Sequence, residues 1–378
     1  MKVSVLQENL QRGLSIVGRA VASRTTLPIA SNVLLASDDG QLKLAATDTQ
    51  SISLTCWIGA TIEEEGSITV PSRLLSDFIS SLPNEKVDMT LQPRSKQLKL
   101  VCARNEATVG GMDAEDFPPI PTIGGGATLK LSAEGFKAAI KQVAFAAAVD
   151  DSRPVLTGVD MRVEGNELTL AAADGFRLAV HQLALRDTVD EKMEIIVPAR
   201  ALAELERLLG DSDEDVEMRL NEAQTQVLFR TGQVELVAQL IQGTFPNYGQ
   251  LIPTEYSSRA VVEVGDFTRE TRIASIFARD GSGIVRLQVA AGEDGEPGKL
   301  VVSAKAEEIG DNTGEMDATV EGEASKIAFN GKYLQEVLQV LEGGQVALET
   351  TSPSSPGVLR PVGNDRYVHV VMPMFVQW

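Results

Sequence analysis

Cysteine, histidine and aromatic residues are all scarce in this chain of 378 residues. Two cysteines, Cys56 and Cys102, cannot build a disulfide framework, and neither has the spacing of a metal site. Both are expected in the core. His181 and His369 lie far apart in sequence, so a histidine general base has little support; each is read as a satisfied strand residue. No apolar run approaches the ~20 residues of a membrane helix. The start MKVSVLQENLQ lacks a basic-then-apolar signal segment, so an intracellular protein is expected. Positive charge is the last shortage: 34 basic residues against 53 acidic ones leave −19. Such a field repels nucleic acid and anionic membranes at long range, which excludes a tight basic-patch DNA binder.

What the chain does have is repetition, and 43% hydrophobic with 23% charged residues makes it globular. Ile68-Thr69-Val70-Pro71, Ile196-Val197-Pro198 and Ile327-Ala328-Phe329-Asn330 are three strand-like runs, each leading into a helix start; Val70, Val197 and Phe329 are 127 and 132 residues apart. Helices with apolar residues at helical spacing follow: Leu74, Leu75, Phe78, Ile79 and Leu82; then Leu202, Leu205, Leu208 and Leu209; then Leu334, Val337, Leu338 and Leu341. Proline is expected in the first turn of the first two helices, and Asn330 can cap the third. Each copy opens with a strand and an amphipathic helix, over 3–22, 129–148 and 261–279. A hairpin then recurs at 41–48, 167–174 and 299–304, the last without its aspartate. Proline and glycine at 118–126 and around 253 mark boundaries. The expectation is an α+β chain of three domains over 1–122, 128–253 and 258–378.

Asp48 and Asp174 look like a catalytic pair, but each sits at a hairpin corner with no acid or histidine partner near it in sequence, so a turn-forming role is favoured. Gly124-Gly125-Gly126 lacks the lysine and serine of a phosphate loop and reads as a linker. The six expected helices hold 11 basic and 9 acidic residues, a net of +2 in a chain of −19. A helix-lined face would be mildly positive and the sheet faces strongly negative. Weak positivity suits motion along a duplex better than fixed phosphate contacts do.

These residues resemble the bacterial β sliding clamp family, the processivity subunits of the replicative DNA polymerase. The resemblance runs through Thr26-Leu27-Pro28-Ile29, Val70-Pro71, Asp116-Phe117-Pro118, Ala173 to Ala179, Val197-Pro198, Phe245-Pro246-Asn247-Tyr248 and Val371-Met372-Pro373-Met374, in order along the whole chain. It implies three tandem clamp domains and a head-to-tail homodimer, a six-domain ring with helices lining the hole and sheets outside. A ~125-residue domain, taken as a sphere, is roughly 35 Å across. Three such spheres leave a hole of about 5 Å and six leave about 35 Å, against ~20 Å for duplex DNA. Two copies can therefore encircle the duplex and one cannot, and closure by a twofold operation avoids open filaments.

The same resemblance implies three sets of residues. A pocket for a short, mostly apolar partner motif would use Arg153, Leu156, Ala173, Gly175, Phe176, Arg177, Leu178, Pro246, Leu251, Asn330, Tyr333, Ser355, Val370, Met372, Pro373 and Met374. Methionine and aliphatic side chains suit a surface that serves several ligands. The subunit interface would join the strand around Ala107 and Val109 to the region of Ile276 and Phe277. Arg24, Lys137, Lys141, Arg200 and Arg272 would face the DNA backbone. Ala173, Phe176, Gln250 and Pro353 depart from the commoner family residues, and the tail Phe375-Val376-Gln377-Trp378 is longer and more aromatic. That tail is expected to shield the pocket rim or fold into it.

The implied protein is a non-catalytic, cytoplasmic, nucleoid-associated clamp without metal or cofactor. Its partners would be duplex DNA, the replicative polymerase, an ATP-dependent clamp loader, repair polymerases, ligase and mismatch-repair proteins, with no membrane. Two rivals remain at this stage. One is an acid–base hydrolase using Asp48, Asp174 or Glu308; the other is a monomeric three-repeat binding module.

Overall fold

The computed structural model describes residues 1–22, 27–124, 128–210, 214–279, 282–292, 297–306 and 310–378. The chain passes three times through one order of elements. In the first pass β1 (Lys2–Leu6) leads into α1 (Gln7–Val17), then β2 (Asn32–Asp38), β3 (Gln41–Thr47), β4 (Ile52–Gly59), β5 (Thr61–Glu64) and β6 (Ser67–Pro71). Helix α2 (Ser72–Ser80) then precedes β7 (Lys86–Gln92), β8 (Gln97–Cys102) and β9 (Asn105–Gly110).

The second pass is β10 (Thr128–Leu131), α3 (Ala133–Val143), β11 (Gly158–Ala173), β12 (Arg177–Pro198), α4 (Ala199–Leu209), β13 (Val216–Leu220), β14 (Gln226–Thr231) and β15 (Val234–Gln239). The third opens with β16 (Ser258–Glu263), α5 (Val264–Arg279), β17 (Ile284–Ala290), β18 (Gly298–Ala306), β19 (Gly310–Gly322) and β20 (Ser325–Asn330). It ends with α6 (Gly331–Gln339), β21 (Gln345–Thr350), β22 (Gly357–Pro361) and β23 (Tyr367–Val371).

The fold is α+β, and among the described residues its six α-helices are the six expected from apolar spacing. Asn330 caps α6 by accepting from the Lys332 amide at 2.9 Å. The prolines stand one step earlier than expected. Pro71 is the extended residue before α2, and Pro198 ends β12. Each leaves its ring outside the helical hydrogen-bond ladder.

One compact unit comprises Met1–Glu134 with Arg200–Ile241. It holds a five-stranded sheet in the order β5-β1-β7-β8-β9 and an eight-stranded sheet in the order β10-β13-β14-β15-β4-β3-β2-β6. Strands alternate buried and half-exposed residues, as in β8, whose Leu98, Leu100 and Cys102 point inward. Helix α1 lies on β3 and β4 and buries Leu10, Leu14 and Val17. In the eight-stranded sheet β15 joins β4 antiparallel, with Leu236 opposite Leu54 and Val237 opposite Ser53.

The other unit comprises Gly135–Ala199 with Gln242–Trp378, and its ten strands run β11-β12-β23-β22-β21-β16-β19-β18-β17-β20. Here β12 joins β23 antiparallel, with Ala179 opposite His369 and Leu178 opposite Val370. Strand β19 serves twice: residues 310–318 pair with β18, and residues 319–322 pair with β16. Helix α5 packs on β17, β18 and β19 through Phe267, Thr271, Ala274 and Ala278. The sheets thus run across the boundaries read from proline and glycine. Backbone hydrogen bonds between edge strands decide which copies share a sheet, and side-chain patterns do not report them.

Candidate functional site

Leu178 and Val370 face each other where β12 meets β23. With Ala171, Val180, Val358 and Val368 they form an apolar floor, against which Ala173, Tyr248 and Ile252 pack half-buried. Leu251 stands beside it, 56% exposed, and Pro246 is exposed on the same connecting segment. Leu156 is buried, and its carbonyl accepts from the Ala148 amide at 2.8 Å.

The rim is built on the turn between β11 and β12. Asp174 accepts from the amides of Phe176 and Arg177 at 2.9 and 3.0 Å, which closes the turn. Gly175 takes φ +92°, and a Cβ there would meet the Arg153 guanidinium at 2.8 Å. Arg153 donates to the Asp174 carbonyl at 2.8 Å. The positive φ is what favours glycine at the turn.

Arg177 is buried and fully engaged. It donates to Asp174 at 3.1 Å, to the Phe145 carbonyl at 2.8 Å and to Glu336 on α6. Its guanidinium also lies over the rings of Tyr333, at 4.5 Å, and Phe145, at 5.2 Å. Phe176 stacks on Tyr333 at 6.4 Å and stays 57% exposed, an apolar face open to a ligand.

Beyond β23 the Met372 amide donates to the Phe176 carbonyl at 2.8 Å, and the Met374 amide donates to Ala328 of β20 at 2.7 Å. Met372 and Met374 are exposed and Pro373 is half-buried. Ser355 lies 2.8 Å from Ser352 in the β21–β22 turn, and Asn330 is committed to capping α6.

The tail does not fold onto the floor. With Met374 fixed to β20, the chain runs on across β17. The Gln377 carbonyl accepts from Arg286 at 3.5 Å, and the Trp378 ring lies 5.7 Å from the Lys326 ammonium. Of the two expectations for the tail, this corrects the one in which it folds into the pocket.

Near Tyr248 lies an acidic residue without full compensation. Asp160 on β11 is wholly buried, 2.7 Å from Arg162 Nε, but that N–H does not aim at the carboxylate and no hydrogen bond forms. Burial, with Glu194 assisting, pushes its carboxyl up to about 6 despite Arg162. Arg162 also lies over the Tyr248 ring at 5.3 Å, and burial raises that phenol to about 12.

His181 meets Gln142 at 2.8 Å and is held at about 4 by burial. His369 stacks on Phe145 at 5.5 Å and is pushed down to about 3 by burial. Its Nε2 has no hydrogen-bond partner, so it is less satisfied than expected. Cys56 and Cys102 are free and buried; burial raises the Cys56 thiol to about 11. No group of three or more His, Cys, Asp or Glu is placed to hold a metal among the described residues.

Asp48 accepts from the amides of Gln50, Ser51 and Ile52 at 3.0, 2.7 and 3.0 Å, so it too is spent on a turn. Of the candidate DNA-facing residues, Lys141 and Arg272 are exposed on α3 and α5, and Lys137 is half-buried on α3. Arg200, in the first turn of α4, lies 3.4 Å from Asp48. Arg24 and Glu308 lie outside the described residues.

Two of the open strand edges are complementary by position in the repeat. Among the described residues strand β9 ends its sheet, paired with β8 alone. Residues 310–318 of β19 pair only with β18 among the described residues. Ala107 and Val109 lie on the first edge. Ile276, 58% exposed, and half-buried Phe277 lie on α5, which packs on the strand of the second. Sequence reasoning missed β19 itself. It also missed Val180, Val358 and Val368 in the floor and Glu336 behind Arg177. The valines were findable in principle, since strand alternation places them on the face of Leu178 and Val370.

Three domain families, described as the N-terminal, central and C-terminal domains of the DNA polymerase III beta subunit, match residues 1–121, 130–247 and 249–375. The chain is 33% identical to the beta sliding clamp of Synechococcus elongatus over 376 residues, 99% of each chain. It is 32% identical to that of Staphylococcus aureus over 365 residues, 94% of each. Among solved structures, the DNA polymerase sliding clamp of Bacillus subtilis superposes with a TM-score of 0.93 at 29% identity, all of both chains being covered. No helix among the described residues is long and apolar enough to cross a membrane.

Proposed function

The chain belongs to the DNA polymerase III beta-subunit family, the bacterial sliding clamps, and on that premise we propose that two copies close into a six-domain ring around duplex DNA. It is a non-catalytic clamp of DNA replication. The observation that carries the ring is a register that occurs twice in the chain. Leu54 and Ala179 hold the same hairpin position, opposite Ala46 and Ala172. Their partners across the joint, Leu236 and His369, lie opposite Phe229 and Leu359 on the neighbouring strands.

At the two open edges the corresponding residues are Asn312, opposite Ala304, and Ala107, opposite Leu100. The same rule pairs Asn312 of one copy with Ala107 of the other, Asp311 with Thr108, and Gly310 with Val109. Ile276 and Phe277 then flank the joint from α5. Each copy offers both edges, so a twofold operation satisfies both at once and leaves neither of them open.

Threading replaces adhesion. Lys137, Lys141, Arg200 and Arg272 face the duplex without base readout, which permits sliding. The Leu178–Val370 floor, with Arg153, Phe176, Arg177, Tyr333 and the methionines at its rim, receives the linear motifs of the replicative polymerase, clamp loader, repair polymerases, ligase and mismatch-repair proteins. A partner so held stays near the template at an effective concentration on the order of millimolar. The working place is the cytoplasm, at the nucleoid. The test is loading onto nicked circular DNA. Retention on the circle with release on linearisation supports the ring, whereas equal retention on both means adhesion.

A further inference from the structure

The C-terminal tail retraces a path taken earlier by the chain. After β9, Met112 exchanges amide and carbonyl bonds with Thr69 of β6, at 2.8 and 3.1 Å. Gly111 makes this crossing feasible, because a Cβ there would meet the Thr69 carbonyl at 2.5 Å. Thr69 and Ala328 precede Val70 and Phe329, the repeat-equivalent residues, so Met374 at Ala328 occupies the place of Met112 at Thr69. From Met112 the chain continues over the joint of β4 and β15. Pro118, Pro119 and Pro121 line a cavity of about 300 Å³ with Ile52, Ser53, Gln226, Val237 and Gln239, and Ile123 packs on Leu228 and Val237.

From Met374 the chain goes the corresponding way and stops half-way. Gln377 and Trp378 line a cavity of about 540 Å³ with Arg286, Lys305, Asp311 and Asn312, beside the open edge of β19. Only one wall of the joint is present there. Arg286 Nε is buried without a hydrogen-bond partner, and the Trp378 indole is left 49% exposed. In the β4–β15 joint the second wall is Gln226, Leu228, Val237 and Gln239, whose repeat equivalents are Gln97, Lys99, Thr108 and Gly110.

We propose that Gln377 and Trp378 act as a clasp for a second copy of this chain, the tail and the β17–β19 face completing their cavity against β8 and β9 of that copy. This rests on the ring reading and deepens it. An indole half-covered on its own subunit and closed by a partner's polar strand face is a good interface group, because it buries a large apolar ring and keeps an N–H to donate. The side-chain oxygens of Gln97 and Thr108 on that face can accept from the Arg286 Nε–H, which lacks a partner.

The experiment compares the full chain with chains lacking residues 377–378 and with Trp378→Ala. Dimer dissociation is read by sedimentation at nanomolar concentration, and apolar-peptide affinity by fluorescence polarisation. A rise of tenfold or more in the dimer dissociation constant, with peptide affinity unchanged, is the expected result. In a Trp57→Phe background, leaving Trp378 as the only tryptophan, emission should shift to the red on dilution to monomer. An unchanged dissociation constant, or a change confined to peptide affinity, overturns the clasp and leaves the ring intact. A full-length chain that is monomeric at micromolar concentration overturns the ring, and the clasp with it.

Discussion

Leu178 and Asp311 hold the same place in the repeat, opposite the equivalent hairpin residues Ala173 and Lys305. Leu178 is 3% exposed on a strand paired on both sides, whereas Asp311 is exposed on an open edge. A charged residue protects an open edge from indiscriminate pairing, and an apolar one can stay where the edge is already filled. Ser53, the third member of the set, is covered by the proline-rich segment. Among the described residues only the β12–β23 joint therefore carries an aliphatic floor beside exposed methionines.

Leu178→Ala with Val370→Ala should weaken binding of an apolar, glutamine-containing peptide by tenfold or more, while the dimer mass stays unchanged. The two residues make the centre of the floor, and each truncation removes about 1–3 kcal/mol of apolar burial. Fluorescence polarisation with a labelled peptide measures it. Undiminished affinity would move the peptide site elsewhere.

Ala107→Cys with Asn312→Cys in one chain should give a covalent dimer on mild oxidation, because facing residues of antiparallel strands have Cβ atoms within about 5.5 Å. Ala107→Cys with Thr313→Cys should cross-link poorly, since a shift of one residue turns the side chain to the other face. Cys56 and Cys102 are buried and should not compete. Non-reducing electrophoresis decides between the two registers.

Arg177→Met should destabilise the C-terminal region strongly, by about 3–5 kcal/mol, because Asp174 and Glu336 lose the cation between them. Arg177→Lys should rescue little of this, since an ammonium cannot reach Asp174, Glu336 and the Phe145 carbonyl together. Thermal unfolding of both variants gives the comparison.

Asp160→Asn should raise the melting temperature at pH 8 and have little effect near pH 4. The folded carboxyl titrates at about 6, above its ordinary value of 3.8. The native state therefore binds more protons than the unfolded chain between those values, and stability falls as pH rises through the window. Above pH 6 the buried charge remains a fixed cost, which the amide removes. Arg162 keeps Glu194 at 3.2 Å in the variant.

His181 and His369 act in the opposite sense. Burial holds them at about 4 and about 3, below the ordinary 6.5. The unfolded chain binds more protons below pH 6.5, so stability is lost as pH falls toward 4. His369→Gln should flatten the acid limb of a plot of melting temperature against pH. An unchanged slope between pH 6.5 and 4 would mean that His369 is not the group responsible.

The sequence by itself determined the three passes of strand and helix, the six helix positions, and the turn roles of Asp48 and Asp174. Each is set by residues close together in the chain: apolar spacing along one helix, a carboxylate reaching amides two to four residues on. Which strands meet was decided only by the tertiary structure. Nothing local in Val180, Val358 or Val368 says that they share a floor, and nothing local in Asp311 or Ala107 says that their strands are open on one side. Strand pairing is made by backbone groups common to every residue, over separations of up to two hundred positions, so its register comes from packing of the whole sheet and not from any segment read alone.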